Sequence, residues 1–148
     1  DDAAMIPIYR ALAKAGRILL LHSGVDIGIP PPVHCTPDRL ARVLDAVPEL
    51  TVIAAHMGGY LRWEAVEQFL IGRDLYLDAS YSLADLGPDA LVRLARAHGI
   101  ERVLFGTDSP WTDQATELAA FRDLPLSEEE KAALLGGNAR RLLVLIAG

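Results

Sequence analysis

Residues 103–111 read V-L-F-G-T-D-S-P-W. Val103, Leu104 and Phe105 form a short apolar run bounded by Gly106, the pattern of a buried strand in a parallel sheet. The run stops abruptly at Thr107, Asp108, Ser109 and Pro110, so an acidic side chain stands where a buried strand meets its loop. In parallel α/β sheets, and in barrels above all, chemistry collects at that C-terminal edge. A plainer reading stands beside it: Asp108 caps the following helix or simply ends a strand.

Upstream, the same grammar recurs. I-L-L-L (18–21), led in by Arg17, ends in His22-Ser23-Gly24, and T-V-I-A-A (51–55) ends in His56-Met57-Gly58-Gly59. L-Y-L-D-A-S (75–80) is less uniformly apolar and leads to Tyr81. Helical spacing fills the intervals. Residues 3–15 carry Ile6, Tyr9, Leu12 and Ala13, with Gly16 as the stop. Thr36 reads as an N-cap before Pro37, opening a helix through Leu40, Val43 and Leu44 that Pro48 breaks. The next covers about 61–70, with Leu61, Ala65, Val66, Phe69 and Leu70 on one side. Another begins at Gly87-Pro88 and stops near His98-Gly99. Beyond Trp111, helices are expected from about Asp113 to Phe121, from the capping box Ser127-Glu128-Glu129-Glu130, and from Ala139 to Ile146 with Asn138 as N-cap.

Strand starts near 17, 51, 75 and 103 lie 24 to 34 residues apart, the length of βα units with right-handed helical crossovers. The class is α/β, with no linker or low-complexity break in residues 1–148. Two architectures fit four units: a small doubly wound sheet, or half of a (β/α)8 barrel whose full length is about 250 residues.

Composition narrows the function classes. The 148 residues are 51% hydrophobic and 23% charged, enough to build a core. A net charge of -6 with no basic run argues against nucleic acid as partner. A single cysteine, Cys35, excludes an internal disulfide and a Cys-based zinc cluster. No segment approaches the ~18 apolar residues that cross a bilayer. The expectation is a cytoplasmic protein with a small-molecule substrate and no membrane or nucleic-acid partner. The chain begins Asp-Asp rather than Met, so its true start is expected upstream.

Polar residues favour the barrel. Three of the four strands end in a metal-binding residue type, His22, His56 and Asp108, and the third ends in Asp78-Ala79-Ser80. In a barrel these ends converge on one axial pocket, whereas in an open sheet they spread along an edge. Converging imidazoles and a carboxylate suit a divalent ion, zinc first and manganese second.

H-S-G at 22–24, A-H-M-G-G at 55–59, L-Y-L-D-A-S at 75–80, F-G-T-D-S-P-W at 105–111 and L-G-G-N-A-R-R-L at 135–142 occur in this order. Together they resemble the C-terminal half of the amidohydrolase-2 (amidohydrolase-related) family of metal-dependent hydrolases. The resemblance implies a TIM-barrel-type half barrel carrying strands 5–8, with residues 1–148 as a single partial domain. It also implies roles. His22 matches a metal-binding histidine. Asp108 matches an aspartate that touches the metal and takes a proton from the attacking water. His56 matches a histidine that holds a second metal in some relatives and is an acid/base or substrate polariser in others.

One departure stands out. The family's first strand carries a His-x-His pair, whereas the four histidines here are 22, 34, 56 and 98. The expectation is therefore a fragment of an enzyme, inactive by itself, the full-length protein being open to homo-oligomer formation. Tyr60, Tyr81 and Trp111 follow strand ends and are candidates to wall a substrate pocket, with Trp63 read as helix packing. His98 is read as a partner of a helix dipole, His34 and Cys35 as plain loop, and Arg140 and Arg141 as surface or inter-helix charges.

Three functions follow from this reading. The first is a metal-dependent hydrolase of a small-molecule amide, lactone or ester-like bond, using metal-activated water. The second is a non-oxidative decarboxylase, since relatives resembling aminocarboxymuconate-semialdehyde decarboxylase share these motifs. The third is a non-catalytic α/β binding module, which holds only if the strand ends fail to converge.

Overall fold

The computed structural model describes residues 1–147. Its four apolar runs form strands β1 (Ile18–Leu21), β2 (Thr51–Ala54), β3 (Tyr76–Asp78) and β4 (Val103–Leu104). All pairings are parallel and the spatial order is β1-β2-β3-β4, sequential as expected and without the reversal of a doubly wound sheet. Eight helices lie in the described residues: α1 (Ile6–Lys14), α2 (Pro37–Ala46), α3 (Trp63–Phe69), α4 (Leu83–Leu86), α5 (Pro88–His98), α6 (Gln114–Arg122), α7 (Glu128–Ala132) and α8 (Asn138–Ala147).

Side chains alternate across a strand, so register sorts the sheet into two faces. Leu19, Leu21, Val52, Ala54, Leu77 and Val103 share the face that meets Leu40, Val43, Val66, Leu91 and Leu94 of the helices. Each fully buried leucine there contributes roughly 1.5–3 kcal/mol. The opposite face carries Ile18, Leu20, Ile53, Tyr76, Asp78 and Leu104. It is covered in part by Ala139 and Leu142 of α8, while Leu20 remains 61% exposed.

Local chemistry explains where the elements stop. Asp113 caps α6 by accepting from the Thr116 amide, and Ser127 with Glu130 forms the expected capping box of α7. Thr36 occupies the position before Pro37, but its side chain makes no capping hydrogen bond. Leu61 leaves the buried side expected for it. It is half exposed and has a left-handed φ of 53°, so α3 starts two residues later. The third strand is shorter than the run 75–80 because the backbone turns after Asp78. The short α4, which no periodicity announced, then intervenes before Gly87.

Asn138 corrects another expectation. It is not a cap but the first helical residue of α8, and its buried side-chain amide donates to the Ile100 and Val103 carbonyls. A π-helical turn, Ala133–Gly137, precedes it and presents the Leu134 carbonyl to the Phe105 amide at 3.1 Å. These contacts occupy backbone groups on the edge of β4 that faces away from β3. β1 is the other terminal strand, and among the described residues no strand pairs with its outer edge.

His98 is a buried crosslink rather than a charged partner of the helix dipole. The Gly72 amide donates to its Nδ1, and its Nε2–H donates to the Leu75 carbonyl at 2.9 Å. That pattern needs a neutral ring, and burial pushes its pKa below the usual imidazole value. The unfolded chain takes up this proton first, so the contribution of His98 is complete above pH ~6.5 and declines as pH falls below it. Replacing His98 with Gln should cost about 2 kcal/mol at pH 7.5. The gap between wild type and His98→Gln should narrow by pH 5.5 in urea unfolding. A gap that is constant with pH would contradict the neutral crosslink.

Candidate active site

At the C-terminal ends of β1–β4 lies a cavity of about 760 Å3 lined by residues that include His22, His56, Tyr60, Asp78, Tyr81, Asp108 and Trp111. Parallel strands bring their carboxyl ends to one edge, and backbone bonds then lace the following loops together. The Met57 amide donates to the Asp78 carbonyl at 2.7 Å, and the Tyr60 amide to the Ser23 carbonyl at 2.8 Å. The Val25 amide returns to the Tyr60 carbonyl at 2.9 Å. Gly24 sits within this lacing at φ 93°, where a Cβ would lie 2.2 Å from the Tyr60 nitrogen.

Three cavity residues hold left-handed backbone conformations: His56 at φ 59°, Tyr81 at φ 52° and Asp108 at φ 55°. Each costs about 1–2 kcal/mol in a non-glycine residue. Such strain persists where surrounding contacts over-determine the chain, and it gathers at functional sites. Here it turns the chain back at the ends of three adjacent strands.

His56 is buried, whereas His22 and Asp108 are exposed on the open side. His22 Nδ1 and His56 Nε2 face each other at 3.0 Å. His56 Nδ1 lies 3.0 Å from the Ser80 carbonyl, which only accepts, so Nδ1 carries a proton, and in the uncharged ring Nε2 then turns a lone pair toward His22. Among the described residues no group of three His, Cys, Asp or Glu side chains stands close enough to hold a metal ion. The structure thus brings two of the three anticipated ligands to contact distance and places Asp108 in the same cavity apart from that pair. The described residues do not make a complete metal site.

The aromatic wall is tightly ordered. Tyr60 and Tyr81 lie 5.5 Å apart by ring centroid, and both meet the His56 ring at 6.0–6.4 Å. The Tyr60 hydroxyl donates to Asp85 at 2.7 Å, a bond that pushes its pKa up to about 12 and keeps the phenol neutral. Trp63 does more than pack its helix: its indole N–H donates to the His56 carbonyl at 3.1 Å, and its ring meets Tyr60 edge-on. Trp111 is 74% exposed at the mouth. His34 is exposed in the loop before Cys35, and neither residue lines this cavity.

Asp78 was legible only as part of a strand, yet it belongs to the site. Alternation from Tyr76 places it on the same face as Leu104. Burial pushes its carboxyl pKa up, opposed by hydrogen bonds from Ser80. Asp85, on α4, carried no comparable signal in the sequence.

A sequence profile of the family described as Amidohydrolase matches residues 1–145. No curated protein matches the chain. Among solved structures, an uncharacterized TIM-barrel protein from Bordetella bronchiseptica is similar with a TM-score of 0.80 and 25% identity. That likeness covers 100% of this chain and 53% of that one. A dihydroxybenzoic acid decarboxylase from Polaromonas sp., with bound manganese and the inhibitor 2-nitroresorcinol, has a TM-score of 0.69 and 19% identity over 97% of this chain and 54% of its own. A putative 2-pyrone-4,6-dicarboxylic acid hydrolase from Pseudomonas putida has a TM-score of 0.67 and 21% identity over 93% and 55%. The last two establish the fold alone. The chain spans about half the length of these structures, and its four βα units form a half barrel.

Gly24→Ala should destabilise the protein by roughly 3 kcal/mol, since a methyl group meets backbone that cannot move aside. Gly16→Ala, also at positive φ but with nothing within 4 Å of its Cβ, should cost only about 1 kcal/mol. Chemical denaturation of the two variants checks the difference, and equal losses would remove the close approach as the cause.

Proposed function

The chain belongs to the amidohydrolase family, and from that premise we propose that residues 1–148 are a single partial domain, the C-terminal half barrel of a metal-dependent hydrolase. The substrate class is a small molecule with an amide, lactone or ester-like bond. One observation carries this reading: His22 Nδ1 and His56 Nε2 face each other at 3.0 Å in the cavity that also holds Asp108.

His22, His56 and Asp108 would contribute to holding a divalent ion, zinc or alternatively manganese, with its remaining ligands supplied from outside these residues. Such an ion lowers the pKa of bound water to about 7, making hydroxide available at neutral pH. The chain's own part is positional and protonic. Asp108, which lines the cavity on its open side, would accept a proton and hand it to a leaving group. His56 presents a lone pair rather than a proton at Nε2, because Ser80 holds the proton at Nδ1. Tyr60 spends its hydroxyl on Asp85 and so offers substrate a ring face, beside Tyr81 and with Trp111 at the mouth.

Decarboxylation of a small aromatic acid is the second reading, favoured by the paired Tyr60 and Tyr81 rings, which suit a planar substrate. It calls for a cation facing the substrate carboxylate, and the described cavity lining holds neither Lys nor Arg.

The intact protein, assayed against lactone, amide and aromatic-acid panels, should turn over a lactone or amide and lose that activity on chelation. Asp108→Asn should lower turnover by about 10²–10⁴-fold. Residues 1–148 alone should show neither turnover nor tight one-to-one zinc or manganese binding. Tight binding by this half, with turnover that disappears in Asp108→Asn, would overturn the partial-domain reading. Carbon dioxide release from aromatic acids would replace the hydrolase reading with the second one.

A further inference from the structure

The Asp78 carboxylate lies in the cavity wall, and its surroundings are built around it. One oxygen accepts from the Ser80 hydroxyl at 2.5 Å and the other from the Ser80 amide at 3.2 Å. A Cβ at Gly106 would lie 2.3 Å from Asp78 Oδ1 and 3.1 Å from the Ser80 Cβ, so the carboxylate leans over the loop after β4 in space that only glycine leaves. Ser80 is clamped at its amide and hydroxyl, and its carbonyl faces the other way. That carbonyl accepts from His56 Nδ1 at 3.0 Å and from the Ser82 hydroxyl at 3.0 Å. Ser80, Ser82 and His56 are all buried, so water does not substitute freely for any of these partners.

We propose that Asp78 is a positioning residue that acts through Ser80: by holding the Ser80 amide and hydroxyl it aims the Ser80 carbonyl at His56 and fixes the Nδ1–H tautomer of that ring. The consequence reaches the cavity, because the tautomer decides whether Nε2 presents a lone pair or a proton toward His22. A carboxylate suits this task because it only accepts. Alanine in its place leaves the Ser80 amide and hydroxyl without their acceptor, and the turn that carries the Ser80 carbonyl is released. Gly106 is part of the device, since any side chain there displaces the carboxylate. This inference rests on the placing of His56 at the functional site.

The test is a long-range proton–nitrogen NMR spectrum of the intact protein labelled with 15N-histidine, freed of divalent ions by chelation. It reads ring protonation with neither substrate nor metal, so its outcome is separate from that of the activity assays. Wild type should show His56 as the Nδ1–H tautomer. His98, which donates from Nε2 to Leu75, should show the opposite pattern and reports in the same spectrum that the protein has folded. In Asp78→Ala the Nδ1–H signature of His56 should be lost in favour of Nε2–H, with the His98 signals unchanged. Gly106→Ala displaces the carboxylate from a different strand and should have the same effect. If Asp78→Ala loses the His98 signature, it has not folded, and Gly106→Ala then decides. A folded variant of either kind that keeps His56 in the Nδ1–H form overturns the proposal.

Discussion

A parallel ladder cannot be closed by a tight turn, so each strand of this chain must hand over to a crossover that leaves from the same edge. Four in-register strands in sequential order therefore put four departures side by side. The loops must turn away within a few residues or collide. His56, Tyr81 and Asp108 meet that demand with left-handed backbone, and backbone hydrogen bonds from Met57, Tyr60 and Val25 tie the loops after β1, β2 and β3 together. The cavity is thus a product of the ladder, and three of the left-handed residues that turn the chain away line it.

The electrostatics follow the same geometry. His56 is buried under the loops and bonded at Nδ1, while His22 and Asp108 remain open to solvent. A buried, orientated imidazole beside an exposed one is a graded pair: the inner ring is anchored to the Ser80 carbonyl and the outer ring stands open to solvent. Tyr60 is graded similarly, its hydroxyl turned outward to Asp85 and its ring turned inward. The Tyr60 hydroxyl is thereby withdrawn from the aromatic wall and paired with Asp85.

The architecture was legible in the sequence because four apolar runs end in polar or small residues at βα spacing. That signal depends only on burial and chain length. His22, His56, Tyr60, Tyr81, Trp111 and Asp108 all line one cavity for the same reason. Contacts that depend on tertiary closure were not legible. Asn138 reads locally as a cap, since Asn favours that position, and only the nearness of β4 diverts its amide to the Val103 carbonyl. His98 reads as a cation near a helix end until the Gly72 and Leu75 backbone encloses it. Asp78 shows its face by alternation, but the partnership with Ser80 and the gap at Gly106 emerge only when β3 lies beside β4.

The sealing of β4 by Asn138 and the π-helical turn also bears on how this sheet meets other chains. A sheet with two open edges is a repeat unit: each copy recruits the next, and nothing in the geometry ends the series. Here the Val103 carbonyl and the Phe105 amide are already engaged from within, whereas no strand among the described residues pairs with the outer edge of β1.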